Sequence, residues 1–160
     1  MAFLLRLFLF LSLIFMGLSW NVQAQERAMN LKKDTELADP APDWDNPRKI
    51  VFQVTAKDEF HVNNVYYNAI NLQKFYGTDN VKIAIVFYGP GIRAILNESA
   101  ISPDRVKSLQ DYEIEFIACN NTMTTIGKKP TDLLAGIRVV TSGIAEIVEK
   151  QEKGWHYIIP

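Results

Sequence analysis

Lys49 to Thr55 reads KIVFQVT, a short and nearly continuous apolar run rich in β-branched residues. A strand with one face in water alternates polar and apolar side chains, whereas one covered on both faces does not have to. The run is therefore read as a buried parallel strand. The next segment has a different period. Asp58 can cap a helix, and Val62, Val65, Tyr66, Ala69, Leu72 and Tyr76 recur at spacings of three and four. Asn63, Asn71 and Lys74 fall on the other face, and Gly77 ends the segment.

The same alternation continues to the carboxyl end. VKIAIVFY (Val81 to Tyr88) is a second buried strand, followed by Gly-Pro-Gly and a short helix around Ile92, Ile95 and Leu96. Ser102 as cap and Pro103 in the first turn start another helix, with Val106 and Leu109 inward. YEIEFIAC (Tyr112 to Cys119) is the third strand. A helix or irregular turn runs to Gly127, and Pro130 to Leu134 makes one more turn. GIRVV is the fourth strand. Ser142 caps a last helix with Ile144, Ile147 and Val148 inward and the pairs Glu146–Lys150 and Glu149–Lys153 on its wet side. Gly154 stops it, and WHYIIP is the fifth strand. Strands alternating with helices across short turns predict an α/β protein: a flavodoxin-like three-layer sandwich with a five-stranded, mainly parallel sheet.

Before this domain the text is of another kind. Arg6 precedes a run from Leu7 to Leu18 interrupted only by Ser12 and Gly17, and Val22-Gln23-Ala24 places small residues where a signal peptidase reads. Residues 1–24 are read as a secretory signal peptide cleaved after Ala24, which makes the protein periplasmic or secreted with no stable membrane anchor after cleavage. Residues 25–47 are polar and carry Pro40, Pro42 and Pro47, a composition for an extended arm or linker. The domain occupies 48–160. The whole chain holds 17 Lys plus Arg against 18 Asp plus Glu, and losing the leader removes Arg6 and no acid. No basic surplus is left to hold a nucleic acid.

The predicted architecture locates a site. Ligands of open parallel sheets bind beyond the carboxyl ends of the strands. Those ends are Thr55 to Asp58, Tyr88-Gly89-Pro90-Gly91, Cys119-Asn120-Asn121 and Thr141-Ser142-Gly143. The only cysteine of the chain, Cys119, thus lies on the rim, where a following helix would favour its thiolate. A lone thiol in an exported chain forms no internal disulfide, and the bland alternative is a small apolar residue filling a strand end.

The stretches EIEFIACNNTM and TDLLAGIRVVTSGIAEIVEKQEKGWHYIIP (Thr131 to Pro160) resemble the DsrE/DsrF-like family of sulfur-relay proteins. The likeness lies in an Ala-Cys-x-x-x-Met segment before a strand, a Ser-Gly-led helix and a terminal Gly-Trp-x-Tyr strand. The resemblance implies a flavodoxin-like sandwich assembled into a homotrimer or homohexamer. It also implies a persulfide-carrying cysteine, which maps onto Cys119, and a sulfur donor or acceptor protein as partner. Those sulfur-transferring members are cytoplasmic, whereas this chain reads as exported.

Other chemistries fit less well. GPGIRA (Gly89 to Ala94) matches a dinucleotide fingerprint, but it follows the second strand and Pro90 removes an amide. The loop TAKDEF has no glycine and carries two acids that would repel a flavin phosphate. Cys119, where a phosphoacceptor domain needs Asp, ends the third strand. His61 and His156 form no cluster with metal spacing, so neither cofactor nor metal is expected. Two readings remain. In one, Cys119 accepts sulfane sulfur while Asn120 and Asn121 amides, with the Thr55 and Ser142 hydroxyls, hold the anion, and Tyr88, Gly89 and Gly143 complete the rim. In the other, the rim binds a small ligand in a non-catalytic oligomer and Cys119 is a packing residue.

Overall fold

The structure, a computed structural model, describes residues 35–160. The expected signal peptide and the first part of the arm lie outside the described residues. The chain divides into one unit ending at Ala41 and another running from Pro42 to Pro160. Residues 35–41 of the first contain no helix or strand. At the start of the second, the Asp43 carboxylate accepts from the amides of Asp45 (2.9 Å) and Asn46 (2.7 Å), and Trp44 is 77% exposed.

The second unit contains β1 (Arg48–Val54), α1 (Glu59–Tyr76), β2 (Val81–Phe87), α2 (Pro103–Asp111), β3 (Glu115–Cys119), α3 (Asn120–Thr125), β4 (Arg138–Val140), α4 (Gly143–Glu152) and β5 (His156–Ile158). Short 3-10 turns cover Thr78–Asn80, Gly89–Ile95 and Pro130–Asp132. All strands are parallel, in the order β4-β3-β2-β1-β5. Three successive crossovers step one way across the sheet, and the fourth returns past β1. Crossovers of a single hand then lay the last helix on the opposite face from the others.

The packing follows that rule. Ile50, Phe52, Val54, Ile83, Ile85, Phe87, Phe116 and Ala118 point to the first face. There they meet Val62, Val65, Tyr66 and Ala69 of α1, Val106 and Leu109 of α2, and Met123 of α3. On the second face Val51, Ala84, Val86 and Ile117 meet Ile147 of α4. The α1 start is built as read, with the Asp58 carboxylate accepting from the His61 amide at 2.9 Å.

Three local expectations are corrected. Ser102 precedes α2 but does not cap it with its hydroxyl, because its backbone is left-handed (φ 54°) instead of extended. The third strand begins at Glu115, not Tyr112. The amides of Tyr112, Glu113 and Ile114 donate to Leu109 and Gln110 carbonyls and close the end of α2. On α4, Ile144 and Val148 are exposed (53% and 47%), while Lys150, read as a wet-face residue, is buried. One narrow helix lies over this face, so only its Ile147–Lys150 side meets the sheet. The Lys150 ammonium sits 2.9 Å from Glu115, 3.7 Å from Glu146 and 3.9 Å from the centre of the Trp155 ring. Arg138 bridges the same two acids at 2.5 Å each.

Candidate functional site

In an open parallel sheet the crevice forms where neighbouring strands send their chains to opposite faces. Here β3 continues into α3 on the first face and β4 continues into α4 on the second. The crevice therefore opens between the ends of β3 and β4, and Cys119 is the last residue of β3. Its side chain points to the second face and the residue is 5% exposed.

The first residue of α4 lies directly against it. A Cβ on Gly143 would stand 3.1 Å from the Cys119 Cβ, 3.2 Å from the Tyr88 Cβ and 3.2 Å from a Val86 methyl. Glycine lets the helix start approach the cysteine this closely. The thiol donates weakly to the Thr141 carbonyl at 3.9 Å. Burial pushes the thiol upward, but the Thr122 hydroxyl and the amides of Gly143, Thr122 and Asn121 outweigh it. The group ends below its ordinary value. Cys119 is the residue before α3, and its side chain accepts no capping hydrogen bond.

Thr122 is itself oriented. Its hydroxyl oxygen accepts from the Gly89 amide at 3.1 Å, which leaves the hydroxyl proton free to be given to sulfur. Gly89 has φ 53°, a backbone that glycine adopts readily. The Gly89–Gly91 turn is thus a structural turn that also presents an amide to the site. The Tyr88 hydroxyl donates to the Gln53 carboxamide oxygen. Desolvation raises the ordinary phenol value of both Tyr88 and Tyr157.

Of the residues singled out in the sequence, Tyr88 and Gly143 lie at Cys119, and the Asn121 amide donates to the Thr141 carbonyl at 3.1 Å. Gly89 reaches it only through Thr122. The Ser142 hydroxyl accepts from the Ala145 amide as a helix cap, and Thr55 contributes its carbonyl to the Gly91 amide at 3.1 Å. No hydrogen bond joins Asn120 or either histidine to the sulfur among the described residues. Thr122 was missed, and Thr141, named only as part of a strand end, was given no role. The spacing of Thr122, three after the cysteine that precedes a helix, is the signal that could have found it.

Residues 49–160 match the profile of the DsrE/DsrF-like family. The chain belongs to the DsrE/DsrF-like family. A solved protein of unknown function from Methanobacterium thermoautotrophicum is 33% identical, with a TM-score of 0.67 over 71% of this chain and 99% of that one. Two more distant structures show the same fold. One is a protein of unknown function from Bacteroides thetaiotaomicron (18% identity, TM-score 0.53, 70% and 94% covered). The other is the ychN protein of E. coli (12% identity, TM-score 0.58, 71% and 99% covered). No curated protein gives a significant match. This DsrE-like chain has a flavodoxin-like α/β fold with the resemblance extending through its cysteine-bearing strand.

Proposed function

We propose that this DsrE-like protein carries sulfane sulfur as a persulfide on Cys119, in the periplasm or outside the cell. The observation that carries the reading is the place of Cys119, the last residue of β3 at the crevice, with the glycine that opens α4 packed against it; the thiol's displacement below its ordinary value agrees with that place. Family membership supports sulfur relay in general, and the leader-like residues 1–24 support export.

The step balances without a redox partner. The Cys119 thiolate attacks the outer sulfur of a donor persulfide or polysulfide. A new Sγ–S bond forms, the donor S–S bond breaks, and the donor thiolate, or the polysulfide anion shortened by one sulfur, leaves with the electron pair. An acceptor protein's thiolate reverses the step and takes the sulfur on. The donors around Cys119 hold the negative charge before attack and after departure.

Incubating the purified domain with polysulfide is expected to add whole sulfur atoms to its intact mass, removable by reductant and absent in Cys119→Ser. Serine differs little in volume, so the variant should stay folded. The burial of Cys119 favours a second reading, a non-catalytic module in which the cysteine only fills space. That reading gives the opposite result: no sulfur uptake and no alkylation until the protein is unfolded.

The assembly proposed with this function is a homotrimer or homohexamer. Ile144 and Val148 form an exposed apolar ridge along α4, one turn apart and directly beyond the site. Light scattering at micromolar concentration should return a multiple of three chains, with Val148→Asp shifting it toward monomer. A monomeric wild type would remove this part of the proposal.

A further inference from the structure

On the first face of the sheet α1 and α2 lie side by side, and a groove of about 880 Å³ runs between them. Its lining extends from Ser102 and Pro103, where α2 begins, to Tyr112 just after α2 ends. The nine residues of α2 span about 14 Å, so the groove is long. Its floor is apolar: Leu109 is 3% exposed and Ile70 packs against the core. Small-molecule sites have volumes of roughly 300–1,000 Å³, and this groove falls within that range.

The α2 rim carries a guanidinium that is fixed in place but not neutralised. Arg105 donates to the Asn63 carboxamide oxygen at 2.8 Å and to the Tyr67 hydroxyl at 3.3 Å, and it lies over the Tyr67 ring, 4.7 Å from its centre. Two of its five N–H donors are spent on these neutral oxygens, and the others remain for an anion. Lys74 stands exposed on the α1 rim, and neither cation forms an ion pair among the described residues. The lining holds one acid, Asp104, in the first turn of α2, where the positive end of the helix answers it. A held cation without a carboxylate, beside an apolar floor, is matched by a ligand with an anionic head and an apolar body.

We propose that this groove binds an extended single-chain carboxylate, with its head on Arg105 and its chain over Ile70 and Leu109 toward Tyr112. The head meets a guanidinium that needs no rearrangement, because Asn63 and Tyr67 already hold it. The chain replaces water over the apolar floor. The groove lies among the helices of the first face, whereas the Cys119 side chain points to the second. The proposal therefore stands apart from the sulfur-acceptor reading.

Decanoate is the probe, with decanol as its uncharged counterpart. Binding to the purified protein would be followed through the methyl chemical shifts of Ile70 and Leu109, below the concentration at which decanoate forms micelles. Decanoate should give saturable shifts at both residues and bind about tenfold tighter than decanol, or more, the margin of a charge-assisted hydrogen bond. Arg105→Gln should reduce decanoate to the affinity of decanol, whereas Lys74→Gln should keep the preference. Ser108 is an exposed residue of the lining, and Ser108→Trp should fill the groove and abolish binding of both probes. Arg105 also ties α1 to α2, so Ser108→Trp keeps the test decisive if Arg105→Gln fails to fold. Equal affinities for the two probes, a preference that follows Lys74 and not Arg105, or unchanged binding in Ser108→Trp would overturn the proposal. Decanoate binding in a protein that takes up no polysulfide sulfur would keep it and sink the sulfur-acceptor reading alone.

Discussion

Gly91→Ala is expected to abolish the native fold or to lower its stability by about 4 kcal/mol or more, a large part of the ~5–15 kcal/mol that holds a domain together. A Cβ at this position would stand 2.1 Å from the Val54 carbonyl oxygen, 2.6 Å from its carbon and 2.9 Å from the Thr55 nitrogen. These are backbone atoms at the end of β1, paired to β2, and they have no rotamer to move into. Relief requires lifting the Gly89–Ile95 turn off the strand. That breaks the Gly91 amide's bonds to Thr55 (3.1 Å) and Tyr88 (3.2 Å) and unpacks Ile92, Ala94 and Ile95, all fully buried. Gly89→Ala is the control. Its φ of 53° strains a side chain, but the nearest atom to a new Cβ is 4.0 Å away, so the expected loss is about 1–2 kcal/mol. Urea unfolding separates the two, and a Gly91→Ala midpoint equal to wild type would show that the turn does not lie against β1.

That glycine pair shows how far the sequence could be read. Gly-Pro-Gly between a buried strand and an apolar turn identified a tight turn, and local pattern was enough because the cause is local. The first two strands were legible for the same reason, since a strand covered on both faces writes itself as a nearly unbroken apolar run, and the third was legible except for its start. Which side of α4 faces the sheet was not legible. Ile144, Ile147 and Val148 share a helical spacing whichever way the helix is rolled, and Lys150 has the composition of a surface residue. Its burial depends on Glu115, 35 positions earlier on a different element. An ion pair of that range leaves no local trace.

The site divides along the same line. Cys119 at a strand end followed from the fold pattern, and Gly143 came with the helix start. Thr122 required knowing that α3 begins immediately after the cysteine, so that the third residue of the turn swings back toward it.

The charge network around the buried Lys150 gives the second large effect. Glu115→Ala should cost about 2–3 kcal/mol at pH 7, below the ~3–5 kcal/mol of a fully buried broken pair. The discount has a physical source. The Glu115 side chain is 35% exposed, and Lys150 would keep Glu146 at 3.7 Å and the Trp155 ring face. Arg138 would keep Glu146 at 2.5 Å. The pH dependence identifies the cause. Burial pushes Glu115 up, but hydrogen bonds from Lys150 and Arg138 and their charges prevail, and the carboxyl ends below its ordinary 4.5. A carboxylate depressed in the folded state contributes fully above the unfolded value, and the contribution fades as pH falls through the folded one. The gap between wild type and Glu115→Ala should therefore be constant above about pH 5 and close progressively at lower pH. As a reference, Lys107→Ala removes a pair to Asp111 whose side chains are 79% and 66% exposed, and it should change stability by less than about 0.5 kcal/mol. If the Glu115→Ala penalty is undiminished where the carboxyl is protonated, its origin is lost packing, and the network does not act as an ion pair.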